Sequence, residues 1–291
     1  MKTQQLRRIF LEICAGYSEA KLQGRTIYFK HLGDAEQADL DEFEENWRAR
    51  IVGLKTPTKD EKIKLAHKEG TWTEKQETAY NRKIKDLQMF QSIKKNWSSV
   101  KQIDDYFEDL RVMRAEIIVD SMPRTQAIGL CAEENASFNT YSQEINLASF
   151  ADKDLTIPFF TDYDYIDDAT AAALHNAYYD KVSFLRSDGF KLIKQISCQD
   201  FFSNKFWLSE NAFYFLNKPL WSLSQLQTFL LSFGKRYVEV LRYCHGAPEH
   251  FYEEPEKLEC YAQMVQEKGE PKNEDTGADM LAQVNKARNG R

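Results

Sequence analysis

A chain of 291 residues with 42% hydrophobic and 13% aromatic content can fill a packed core, which excludes a wholly disordered protein. Its 12 glycines and 7 prolines are too few for an all-β chain, which must turn often. A formal net charge of -6 argues against bulk attraction to nucleic-acid phosphates, and five cysteines spread along the chain suit a reducing compartment better than a disulfide framework.

The N-terminal apolar run is interrupted by Glu12, so it does not read as a signal peptide, and no run reaches the roughly 20 apolar residues of a membrane span. The expectation is a soluble protein made in a cytoplasm. Leu6, Ile9, Phe10, Ile13, Cys14 and Tyr17 recur at helical spacing and predict an opening amphipathic helix. Thr26, Ile27, Tyr28 and Phe29 form the clearest strand-like run, with the segment near Ile157 as a candidate partner.

A second helix is predicted from Asp34 as N-cap with Gln37 three residues on, along an apolar stripe of Leu40, Phe43, Trp47 and Ile51. Capping boxes recur at Thr58 with Glu61, Thr73 with Gln76, and Ser99 with Gln102. The last two open a pair of helices with stripes at Tyr80, Ile84, Leu87, Phe90 and at Ile103, Phe107, Leu110, Ile117, joined by a short connector. Two such helices predict an antiparallel hairpin rich in charge, closed by Pro123.

After Pro123 charge thins and aromatics rise. A helix is expected within 126–150, and another from Asp167 or Asp168. The strongest is expected within 222–244, ending at Cys244, with Leu226, Leu230, Phe233, Tyr237 and Val240 on one face, Ser224 and Gln227 capping its start, and Gly246 after its end. A further helix follows Pro255, and the breaker-rich stretch after Lys268 reads as a disordered tail.

The expected fold is therefore mainly α: a helical bundle with a projecting antiparallel helical hairpin and at most one small β element near the N-terminus. Four stretches divide it: 1–72, a helical segment with a short strand; 73–122, the charged hairpin; 123–267, the aromatic-rich bundle; and 268–291, the tail.

Two clusters carry candidate chemistry. Cys244, His245, His250 and Cys260 supply four metal-ligand types, but their spacing lacks the close pairs of structural zinc sites. They read instead as a joint between two helices. Asp162, Asp164, Asp167 and Asp168 lack the central glycine and late glutamate of a calcium loop, and read as carboxylates at a helix start. No phosphate-cradling, nucleophile-elbow or zinc-protease motif is present. No catalytic residue, cofactor or metal is expected, and the lysines of the hairpin are the residues through which nucleic acid would be met.

Several segments share an order and flavour with a known group. "IYFKHLGDAEQADLDEF", "GLKTPTKDEKI" and "EGTWTEKQE", followed by the charged hairpin, "FFSNKFW", "NKPLWSLSQLQTFLLSFGKRY" and "YEEPEKLE", resemble a family of tailed-phage virion and tail-assembly proteins of baseplate, hub or tail-chaperone type. The resemblance spans about residues 5–265 and carries no active-site residue. It implies a non-enzymatic protein that binds other phage structural or assembly proteins through helix faces, in the host bacterial cytoplasm during assembly or in the virion. Exposed helix faces also suggest self-association. Its alternatives are a nucleic-acid-associated phage factor using the hairpin, or an enzyme with a site near Asp162–Asp168 or Cys244–Cys260.

Overall fold

Helix α1, Thr3–Ala15, buries Leu6, Phe10 and Ile13 on one face. It ends at Gly16, whose φ of +80° few other residues adopt without strain. A computed structural model describes residues 3–93, 95–160, 166–183, 189–203, 218–219 and 222–268. The tail from 269 onward and the aromatic run 204–217 lie outside the described residues.

Tyr17 does not extend α1 as its spacing suggests. It opens strand β1, Tyr17–Leu22, which pairs antiparallel with β2, Arg25–Lys30, in a register from Tyr17↔Lys30 to Leu22↔Arg25. Gln23 and Gly24 turn the chain with φ of 48° and 81°, the doubly positive geometry that suits a two-residue hairpin. A third strand, β3 (Ser149–Phe150), pairs with β2 at Tyr28 and Phe29. The segment near Ile157 does not reach β2. It bonds back to β3 instead, through Ala151 N–H to the Ile157 carbonyl at 2.8 Å and a bridge between Phe150 and Pro158.

Helix α2 spans Asp34–Gly53, α3 Lys59–Glu69, α4 Glu74–Ser92, α5 Val100–Ile128 and α6 Ala132–Ala148. Helix α7 covers Asp168–Tyr178 and runs into a π-helical turn, Tyr179–Ser183. The sheet turns Ala20, Leu22, Ile27 and Phe29 against Leu40 of α2, Ile145 and Ala148 of α6, and Leu174 and Tyr178 of α7. Phe29 and Tyr178 meet edge to face at 5.2 Å.

The cap of α2 lies one residue before the expected Asp34. Gly33 is the capping position, and its N–H donates to Glu36 Oε2 at 2.9 Å, so the reciprocal partner is Glu36 rather than Gln37. Gly33 also bridges to Ser224, and a Cβ there would sit 3.1 Å from the Leu223 carbonyl oxygen. Close backbone approach, rather than side-chain capping, selects this residue.

The boxes at Thr58–Glu61 and Thr73–Gln76 form as expected. Ser99 accepts from Gln102 N–H at 3.3 Å, while the Gln102 side chain reaches Ser98. Helices α4 and α5 form the antiparallel hairpin, stitched by Lys83 to Asp120 at 2.8 Å and by Arg124 to Glu77. Pro123 does not close it: α5 continues to Ile128 and stops at Gly129. Pro123 is exposed, where the carbonyl it leaves unbonded can meet water, and the Arg124–Glu77 pair and buried Ile128 hold the last turns.

Helix α8, Gly189–Ser197, was not legible as a separate helix in the sequence. With α1 and α9, Gln225–Leu241, it forms a second core of Leu6, Phe10, Ile13, Leu192, Ile193, Ile196, Leu226 and Leu230. Ser224 and Gln227 cap α9 as expected. A 3-10 turn, Glu249–Tyr252, leads to α10, Pro255–Glu267. A third core joins the hairpin's loop end to α9 and α10 through Trp97, Ile103, Tyr237, Phe251 and Leu258. The fold is mainly α, with one small antiparallel sheet near the N-terminus.

Candidate functional site

The cysteine-histidine cluster is dispersed by the fold. Cys244 is buried, its thiol donating to the Val240 carbonyl at 3.2 Å, and burial pushes that thiol up to about 12. Burial likewise pushes Cys260 up to about 12, so neither thiol is a ready thiolate ligand or nucleophile at neutral pH. His245 is exposed beside Gly246, and His250 turns away to Asp104, with Nε2 3.3 Å from Oδ1. Among the described residues, no group of three or more His, Cys, Asp and Glu is placed to hold a metal ion.

Of the aspartate cluster, Asp162 and Asp164 lie outside the described residues. Asp167 is the N-cap of α7, accepting from the N–H and hydroxyl of Thr170 at 2.8 and 2.7 Å. Those bonds hold its carboxyl below the usual range. Asp168 occupies the first helical turn.

A polar constellation that spacing did not suggest lies where α1, β1 and β2 meet. Ser18 Oγ is 2.9 Å from His31 Nε2 and donates to Glu12 Oε2 at 3.3 Å. His31 is 3% exposed, and burial, with the nearby Lys218 cation, lowers its pKa from 6.5 to about 3. The imidazole is therefore neutral, and since the serine proton goes to Glu12, Nε2–H donates to Ser18. His31 Nδ1 has no partner. A nucleophilic triad places its carboxylate behind the histidine, whereas here the carboxylate takes the serine's own proton. With Ser18 at 0% exposure, the arrangement ties strands to helix rather than presenting a hydroxyl. Its members, Glu12 on α1, Ser18 on β1 and His31 just past β2, are brought together only by the fold, so no local pattern announces it.

The hairpin is anchored at both ends. At its base Arg124 grips Glu77 with two bonds of 2.8 and 2.9 Å, while Trp72 Nε1–H donates to the same carboxylate at 2.7 Å. These bonds, the Arg124 ones foremost, hold Glu77 below the usual carboxylate range. At its loop end Lys257 of α10 reaches Asp104 at 2.8 Å and Glu254 at 3.0 Å. Lys95 lies over the rings of Phe90 and Tyr106 at 3.7 and 3.6 Å, a paired cation–π contact.

Between these anchors α5 carries two faces. One buries Ile103, Leu110 and Ile128. The other exposes Val112 (45%), Ile118 (62%), Val119 (65%) and Met122 (63%), with exposed Ala115 among them. Positions 112, 115, 119 and 122 follow a 3-4-3 spacing, the signature of a helix seam that meets another helix. A contiguous apolar stripe of this kind is the surface feature most in need of a partner.

Comparison with known protein families, characterised proteins and solved structures finds no match. Among the described residues, no helix is long and apolar enough to cross a membrane.

Proposed function

We propose that this protein works by binding other proteins through its helix faces, with α5 as the principal face. The observation that carries this is the exposure of Ile118, Val119 and Met122 on a helix whose opposite side is already packed. Burying such side chains against a partner removes apolar area from water, at about 25 cal/mol per Å². The sequence resemblance supplies the setting: a non-enzymatic component of phage virion or tail assembly, docking to other tail or baseplate proteins in the host bacterial cytoplasm. The reading as a nucleic-acid factor has less support. Lys83, Arg111 and Arg124 of the hairpin are matched to carboxylates, and Lys95 to aromatic rings, which leaves less free charge for phosphates.

Affinity-tagged wild-type protein and Val119→Glu, expressed in infected host cells, test the reading by mass spectrometry of what each carries. Tail or baseplate proteins should accompany the wild type and be depleted with the variant. Equal recovery, or no tail protein with either, overturns it.

A further inference from the structure

We infer that the occupant of the α5 stripe is a second copy of this chain, paired antiparallel about a twofold axis between Ile118 and Val119; this rests on the reading of α5 as a binding face. The first support is the order of sizes along the stripe. In that register Ala115 of one copy faces Met122 of the other, so the smallest residue receives the longest. Val112 faces Thr125, and Ile118 faces Val119. A parallel pair would instead stack Met122 on Met122 and Ala115 on Ala115, alternating crowded and empty layers.

Charge gives the second support. An ion pair within α5 beside the stripe, Arg111 Nε to Glu108 at 2.8 Å, lies toward its N-terminal end. In the antiparallel register Arg111 lies opposite Gln126 of the other copy, in the last turn of that helix, where unbonded carbonyls make the end negative. No like charges oppose each other along the seam. In a parallel pair Arg111 would face Arg111, and the helix dipoles would align head beside head.

Area sets the strength. Pairing over residues 111–126 joins about 24 Å of helix, one helix on one helix. Such a contact falls below the roughly 1,200 Å² of stable interfaces, so the dimer exchanges with monomer as concentration changes. Self-pairing therefore also occupies the face that another protein would use.

Sedimentation velocity on the full chain from ~1 to ~200 μM tests this, the range over which so small an interface should dissociate. The wild type should pass from one to two chain masses, and Val119→Glu and Met122→Glu should weaken association by roughly tenfold or more while keeping the wild-type melting curve. Register is read by disulfide trapping: Ala115→Cys with Met122→Cys should cross-link copies, Ala115→Cys alone should not, and wild type is the control for native thiols. A wild type that stays monomeric throughout, a Val119→Glu chain that dimerises equally, or efficient cross-linking by Ala115→Cys alone overturns the inference. A monomeric wild type that still carries tail proteins, lost with Val119→Glu, sinks the dimer and leaves the binding face standing.

Discussion

Lys257 and Asp104, 153 residues apart in the chain, meet at 2.8 Å and lock the last helix to the loop end of the hairpin. The partners are unequally placed: Lys257 is a 7% exposed residue, whereas the Asp104 side chain keeps 35% of its surface in water. Burial alone would push the Lys257 ammonium down, but the bonds to Asp104 and Glu254 hold it above its ordinary value. Burial by itself would raise the Asp104 carboxyl, and the Lys257 and His250 bonds hold it low.

That asymmetry makes a directional prediction. Asp104→Ala leaves a buried ammonium with only Glu254, and should cost about 1–3 kcal/mol, discounted because Asp104 is partly exposed. Lys257→Met removes the charge that is costly to bury and should cost less, since Asp104 can turn to water. Urea unfolding of both variants checks the order; an equal loss would mean that burial of Lys257 is not what sets the penalty.

His31 predicts a pH dependence. Its pKa falls on folding from 6.5 to about 3, so below pH 6.5 the unfolded chain takes up a proton that the folded chain refuses. Its contribution is whole above 6.5 and is lost as pH falls toward 3, at up to ~1.4 kcal/mol per pH unit. The charged groups around it are Lys218 and Glu12. Denaturant midpoints from pH 7.5 to 4.5 should fall steeply for wild type and less steeply for His31→Phe. Parallel slopes would show that His31 is not the group responsible.

Arg124 is not replaceable by lysine at the hairpin base. Its fork makes two parallel bonds to Glu77, which also accepts from Trp72. Arg124→Lys keeps the charge and loses the fork, and should cost about 1–2 kcal/mol. Hydrogen exchange should localise the loss to the first turns of α4, with the loop end near Asp104 unchanged. Because the Glu77 carboxyl is held low, its contribution is present above pH 4.5 and disappears as pH falls through the lowered value.

The two faces of α5 should respond oppositely to substitution. Val119→Glu and Met122→Glu are surface changes and should move stability by no more than about 0.5 kcal/mol. Ile103→Ala, at 0% exposure in the third core, should cost about 2–4 kcal/mol through the cavity it leaves. Thermal melts of the three variants side by side test the assignment of faces.

The hairpin was legible because its signals are local. Thr73 with Gln76 and Ser99 with the start of α5 fix the helix beginnings, and the stripes at Tyr80–Phe90 and Ile103–Ile117 fix which sides meet. The sheet was harder. Strand β1, "YSEAKL", alternates in burial only because β2 and α7 lie against it, and its residue types alone suit a helix as well. Pro123 misled for a related reason: proline removes one hydrogen bond, and tertiary contacts at Arg124 and Ile128 outweigh that loss. The Ser18–His31 contact joins elements through a turn whose register no periodicity specifies.

The bond from Gln227 Nε2 to the carbonyl of Ile13 spans 214 positions of the chain. Among the described residues, Leu6, Phe10 and Ile13 pack against α8, Phe201 and Phe202 beyond it, and α9, so α1 is made long before the elements that cover it. At translation speeds of about 5–20 residues per second, its apolar face stays open for ~10–40 s before Leu226 and Leu230 exist. The sheet with α2 and α6 can assemble earlier, since its strands and those helices are complete by residue 150. Folding in the cell is thus expected to run from the interior of the chain outward, with α1 held in waiting and exposed to whatever binds nascent apolar helices.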